Sequence, residues 1–170
     1  MLLKAGKPLN MQIILKTAYL ADRRMLNEHQ RPIFGAIYIG RSFGPVPWEI
    51  YEMLKGEPYW LSELQLKNYP WKLKGHHVEL VGHMSAKRRK KILNPSSLTK
   101  DDMTAIKIEF RRCLNMNFSA KTRVTHQMDW VRGAMRPDEL MAYEDMIDDK
   151  HPHKEEIIED LLSESFFLIL

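Results

Sequence analysis

Residues 18–47 read AYLADRRMLNEHQRPIFGAIYIGRSFGPVP, and the change of period inside this stretch decides the fold. Before Gln30 the apolar residues recur at helical spacing. Met11, Ile14, Leu15, Ala18, Met25 and Leu26 fall on one face, and Asp22 falls there with them. Asn10 suits an N-cap, with Leu9 and Ile14 as a hydrophobic staple, so a helix is predicted over 11–28. An unpaired carboxylate on a buried stripe is costly. Asp22 therefore needs an arginine or backbone N–H donors, and its first reading is a tether for the loop that follows. A catalytic acid is the weaker reading, because no second titratable group keeps fixed spacing with it.

Beyond Arg31-Pro32 the pattern turns β-like. Ile33 to Ser42 is rich in Ile, Tyr and Phe and predicts a strand, with Gly35 at a turn and Gly40 at a bulge or close backbone approach. Gly44-Pro45-Val46-Pro47 cannot continue a helix or a central strand and predicts a stiff corner. Pro47 suits the first position of a helix that carries Trp48, Ile50, Tyr51 and Leu54 and ends at Gly56. One glycine and two residues without N–H make a poor anion nest, so a phosphate loop is set aside.

Residues 1–9 read as a tail or the stub of a helix. Downstream, 57–71 is expected to hold a short helix near 60–67. Its aromatics, Tyr59, Trp60, Tyr69 and Trp71, form either an exposed contact surface or a satellite of the core. Lys72 to Met84 predicts one or two strands that pair antiparallel with 33–42. Lys87-Arg88-Arg89-Lys90-Lys91 is the one dense basic run. It reads as a solvated loop or helix end, a contact for an acidic partner, or a nucleic-acid patch without interleaved aromatics. Thr99 and Asp102 form a capping pair for a helix over 100–114, with Met103, Ile106, Phe110, Cys113 and Leu114 as its stripe. Further helices are expected at 120–130, capped by Ser119, at 137–148 and at 154–165. The terminal Phe166-Phe167-Leu168-Ile169-Leu170 either plugs a groove of this domain or docks on another chain.

At 170 residues, 44% hydrophobic and 28% charged, the chain suits one soluble domain with a real core. No apolar run is long enough to span a bilayer, and no secretory signal is evident, so no membrane role is expected. Cys113 is the single cysteine, which suits a reducing cytoplasm. The net charge of +4 divides unevenly: residues 1–100 carry 17 Lys and Arg against 7 Asp and Glu, and residues 101–170 carry 9 against 15. A bipolar surface of this kind suits a charged protein partner. No zinc, Walker, dinucleotide or nucleophile-elbow motif occurs, so no cofactor and no metal are expected.

The order of these pieces resembles the Panacea domain, the SocA-like antitoxin family, also called phage-associated GepA-like proteins. Ile14 to Arg23, with Lys16, Tyr19, Ala21, Asp22 and Arg23, is similar to the family's first signature. Arg31-Pro32-Ile33-Phe34-Gly35 resembles its Arg-Pro-Ile-Thr-Gly turn, with phenylalanine in place of the usual threonine or serine. Tyr38 with Phe43-Gly44-Pro45-Val46-Pro47 and Ile50-Tyr51 is similar to its Tyr-Gly-Pro-Val-Pro corner. Leu98 to Ala105 resembles its later helix start, and Thr125-His126 with Trp130 its Ser/Thr-His-x-x-x-Trp element. The likeness covers about residues 8–148, with few residues before the first signature and none of the last twenty.

The resemblance implies a non-enzymatic antitoxin that neutralises a co-encoded toxin by binding it, in some members as an adaptor that hands the toxin to a protease. The expected fold is α+β: a predominantly α-helical single domain with a small antiparallel sheet of about three strands. It is divided into 1–150 and a C-terminal helix and tail at 151–170. Tyr19, Asp22, Arg23, Gly35, Gly44, Pro45, Pro47, His126 and Trp130 are read as scaffold. The partner-binding candidates are Lys87, Arg88, Arg89, Lys90, Lys91, Tyr59, Trp60, Phe166 and Phe167. A homodimer is compatible with this reading. The alternatives are a nucleic-acid-binding regulator that uses residues 87–91, and a phage protein that binds a host factor.

Overall fold

A computed structural model describes the backbone of residues 1–167 and the side chains of residues 1–163. The expectations for the side chains of Phe166 and Phe167 and for the rest of the apolar terminus lie outside what is described. In chain order the elements are α1 (Leu2–Ala5), β1 (Leu9–Asn10), α2 (Met11–His29), β2 (Tyr38–Arg41), β3 (Gly44–Pro47), α3 (Trp48–Lys55), α4 (Pro58–Glu63) and β4 (Trp71–Lys74). There follow β5 (His77–Leu80), α5 (Ala86–Leu93), α6 (Lys100–Asn115), α7 (Phe118–Thr125), α8 (Met128–Ala134), β6 (Leu140–Met141), α9 (Tyr143–Met146) and α10 (Lys154–Phe167). The fold is α+β and mainly helical, as expected. No helix among the described residues is long and apolar enough to cross a membrane.

Helix α2 is the axis. Asn10 caps it, its side chain accepting the Gln12 N–H at 2.9 Å, and Gln30 ends it in the left-handed region at φ 59°. Residues 14–22 are buried without interruption, so the helix is enclosed on all sides and not merely along one stripe. One core cluster packs Tyr19, Leu20 and Leu26 with Tyr38, Cys113, Met141 and Met146. A second packs Ile14 and Leu15 with Leu9, Leu54, Val78 and Phe110. Helix α6 lies along α2 under a complete capping box: Thr99 Oγ1 accepts the Asp102 N–H, and Asp102 accepts the Thr99 N–H. Leu114 of its expected stripe is exposed, whereas Glu109 is buried and held by Arg24 at 2.7 Å.

The strands pair differently from expectation. The hairpin β4–β5 pairs with β1, matching Leu9 to Val78, and β2 pairs with β3 and β6. Two three-stranded antiparallel sheets therefore flank α2 in place of one shared sheet. Strand β2 is short because Gly35 takes φ 57° and the N–H groups of Ile33 and Phe34 are bonded to Asp22.

Gly44-Pro45-Val46-Pro47 is a strand, β3, and not a corner. It lies at the edge of its sheet, with Ile39 opposite Val46 and Arg41 opposite Gly44. The Trp48 N–H bonds to the Ile37 carbonyl at 2.7 Å, which fixes the alternation of the ladder. Val46 and Gly44 thus face β2, and Pro45 and Pro47 occupy the outward positions where no N–H is required. Pro47 is the N-cap of α3, one position earlier than expected, and Gly56 closes that helix at φ 89°.

Four expected helices shift. The one at 60–67 begins at Pro58 and ends by Gln65, at φ 51°. That at 120–130 divides into α7 and α8, because Gln127 is extended, and Asn117, not Ser119, provides the cap. The segment 137–148 becomes β6 and α9, because the free side of β2 offers Leu140 and Met141 a ladder that outweighs their helical period. The last runs from Lys154 to Phe167, with Ile157 buried against the domain.

Candidate partner-binding surface

The signature residues of α2 point their polar ends into the protein. Asp22 is fully buried. One oxygen accepts the N–H groups of Ile33 at 2.8 Å and Phe34 at 2.9 Å, and the other accepts the Tyr38 hydroxyl at 3.0 Å. The Gly35 N–H also faces the carboxylate. Burial raises the Asp22 pKa, opposed by these donors. One turn earlier, the Tyr19 hydroxyl donates to Asp129, whose pKa burial also raises. Arg23 lies 3.8 Å from Asp129 and 2.6 Å from Asp148. Tyr19, Tyr38 and Tyr143 form a chain of edge-to-face rings, and burial lifts all three hydroxyls well above the ordinary tyrosine range.

A third buried contact fixes β3. Lys16 donates from Nζ to the Pro45 carbonyl at 2.7 Å, and burial lowers its pKa to about 7. Gly44, at φ 92°, lets this corner close: a Cβ there would stand 2.7 Å from Thr125 Oγ1 and 2.9 Å from Lys16 Nζ. His126 stacks on Trp130 with ring centroids 3.6 Å apart, and the Trp130 indole donates to the Arg41 carbonyl at 2.9 Å. Burial and the neighbouring Lys16 lower the His126 pKa. Tyr19, Asp22, Arg23, Gly35, Gly44, Pro45, His126 and Trp130 thus meet around one helix, and Pro47 leads out of the strand they brace.

Beside this cluster lies a groove of about 740 Å³ between α2, β3 and α3. Leu15, Val46, Trp48 and Tyr51 line it, and Phe43 and Phe118 stand at its mouth. Those two rings pack edge-to-face at 5.2 Å although Phe43 is 62% and Phe118 50% exposed. Its exposed charged lining is cationic: Arg41, whose guanidinium lies 5.9 Å from the Trp48 ring centre, and Lys55, 5.3 Å from that of Tyr51, with the buried Lys16 beneath them. No carboxylate is among the described lining residues. The acids of α3 are engaged elsewhere, Glu49 with the Ile37 N–H at 3.0 Å and Glu52 with the Trp60 indole at 2.9 Å.

The other candidates lie apart from this groove. Lys87, Arg88, Arg89, Lys90 and Lys91 are all exposed on α5. Tyr59 is 64% exposed on α4, whereas Trp60 is half-buried and tied to Glu52. Tyr69 and Trp71 donate to the carbonyls of Glu57 and Met53, which makes most of residues 57–71 a brace for α3. Phe43 enters the sequence reading only within the corner motif and Phe118 not at all, and neither is among its partner-binding candidates. The available signal was Phe43 directly before the glycine of the edge strand, but nothing local pairs it with a residue 75 positions later.

No curated protein and no solved structure matches the chain. The family model described as "Antitoxin SocA-like, Panacea domain" matches residues 14–131. That span begins on the buried turn of Ile14, Leu15 and Lys16 and ends just after Trp130, so it takes in all three tethers around α2. By that match over most of its length, this chain belongs to the SocA-like antitoxin family of Panacea-domain proteins.

Proposed function

We propose that this protein is an antitoxin that neutralises a co-encoded toxin by direct protein–protein binding, without catalysis of its own. The observation that carries the reading is the exposed aromatic pair Phe43–Phe118 at the mouth of an apolar groove. Large aromatics in contact with water mark interaction surfaces. The ionisable groups that family membership brings to notice, Asp22, Tyr19, Arg23 and Lys16, bond to the protein's own backbone and side chains. They therefore support a scaffold role. A stable complex should bury on the order of 1,200–2,000 Å² in total.

The test is co-expression with the adjacent gene in a growth assay, followed by gel filtration of the purified pair. This chain should restore growth and co-elute with the neighbour's product. Absence of both rescue and complex would refute the reading. Exposed helix α5 favours a second reading, a nucleic-acid-binding regulator, which requires DNA affinity that falls steeply with salt and is lost when residues 87–91 are neutralised. A host factor as the target would instead emerge in a pull-down from host lysate, and delivery to a protease would shorten the toxin's half-life.

A further inference from the structure

We infer that the groove between α2, β3 and α3 receives an acidic amphipathic helix of the partner. Its apolar face would sit on Phe43, Trp48, Tyr51 and Phe118, and its carboxylates would reach Arg41 and Lys55. The inference rests on the antitoxin reading and specifies where and by what chemistry the toxin is held.

Three observations converge. The floor is apolar and aromatic and remains open to solvent at Phe43 and Phe118. Its lining holds basic groups and no carboxylate: Arg41 and Lys55 lie beside the aromatics, and the nearby acids Glu49 and Glu52 are turned to Ile37 and Trp60. Arg41 also meets Glu139 at 2.5 Å, a half-exposed pair that leaves further guanidinium donors for a second carboxylate.

The third observation selects the backbone form. The free edge of β3 does not open into the groove: its outward positions are Pro45 and Pro47, which have no N–H, are buried and are not among the groove's lining residues. The Pro45 carbonyl is already bonded to Lys16. An extended peptide would find no ladder there, and its own backbone groups would be left unpaired. A helix satisfies its backbone internally and needs only side-chain contacts, which the groove supplies.

The probe is the purified, full-length product of the adjacent gene. Its affinity is measured for wild type, for the charge reversal Arg41→Glu with Lys55→Glu, and for Phe43→Ala with Phe118→Ala. The substituted side chains are mostly exposed, and circular dichroism and melting confirm that each variant folds. The charge reversal should weaken binding by about tenfold or more at low salt and less at high salt. The aromatic pair should cost about 30-fold. A photocrosslinking residue in place of Phe43 should capture a partner segment with acidic residues along one helical face. Wild type that binds while both variants bind equally well overturns the groove and keeps the antitoxin reading. A basic or extended captured segment overturns the inference, as does a variant that only converts a dimer of this chain to a monomer. Wild type that fails to bind the neighbour refutes the antitoxin reading itself.

Discussion

Lys16 makes the buried framework accountable to pH. Its side chain is almost wholly buried, its Nζ donates to the Pro45 carbonyl at 2.7 Å, and burial lowers its pKa to about 7, a shift that the neighbouring Cys113 only partly offsets. An ordinary lysine keeps its proton to about pH 10.4. Between pH 7 and 9 the unfolded chain therefore holds the proton while the folded chain releases it. The unfolded state binds more protons, so stability rises with pH across this window. The slope is at most about 1.4 kcal/mol per pH unit, and because the folded group is half protonated at pH 7, the gain from 7 to 9 is about 2 kcal/mol. Burial lowers the His126 pKa, so this group stays neutral here, and Tyr19 and Tyr38 ionise later than ordinary tyrosines. Cys113, whose pKa burial raises, acts in the opposite direction above about pH 8.5 but is present in both chains compared. Urea unfolding of wild type and Lys16→Met at pH 7, 8 and 9 reads the difference. Wild type should gain about 2 kcal/mol relative to the variant. Parallel profiles within about 0.5 kcal/mol would refute a charge-disfavouring site at Lys16.

Asp22→Ala removes an acceptor from the Ile33 and Phe34 N–H groups and the Tyr38 hydroxyl, and should cost about 3–5 kcal/mol. Tyr38→Phe, which removes one donor, should cost about 1–2 kcal/mol, and the double variant should cost less than the sum. Additive losses in denaturant unfolding would show that the two do not form one unit. Gly44→Ala combines φ 92° with a Cβ 2.7 Å from Thr125 Oγ1 and should cost about 2–4 kcal/mol. Gly35→Ala, at φ 57° with open space around it, should cost only about 1–2 kcal/mol. Equal melting shifts for the two glycine variants would contradict the close packing at Gly44.

What could be read in advance followed how locally each feature is encoded. The first helix, its Asn10 cap, the Thr99–Asp102 capping box and the Gly56 terminus depend on neighbours a few residues apart, and all are present. The demand for backbone donors at Asp22 was also legible, because a carboxylate amid Ala18, Met25 and Leu26 has few other ways to be satisfied. Strand partners were not legible. Nothing near His77 announces that it faces Asn10, and nothing near Leu140 announces Ile39. The break at Gln127 was hidden for a similar reason. The helical period continues through it, while the contacts that use it, Trp130 to Arg41 and Tyr19 to Asp129, span 89 and 110 residues. The groove depends on the same long-range geometry, since Phe43 and Phe118 meet only after the β2–β3 hairpin and α7 are in place.

Gly44 is where the buried framework and the groove meet, and in the docking role inferred above this would constrain how the protein changes partners. On one side it touches Lys16, Thr125 and His126, and on the other it forms part of the groove wall. Any side chain there disturbs a buried lysine whose bond holds the edge strand. Phe43, Lys55 and Phe118 face solvent, so in that docking role their substitution would alter what the groove accepts at small cost to stability. The two prolines permit this separation. They free β3 from an outward ladder, so in the docking role inferred for the groove its selectivity would rest on side chains alone, and side chains can change one at a time without altering the sheet behind them.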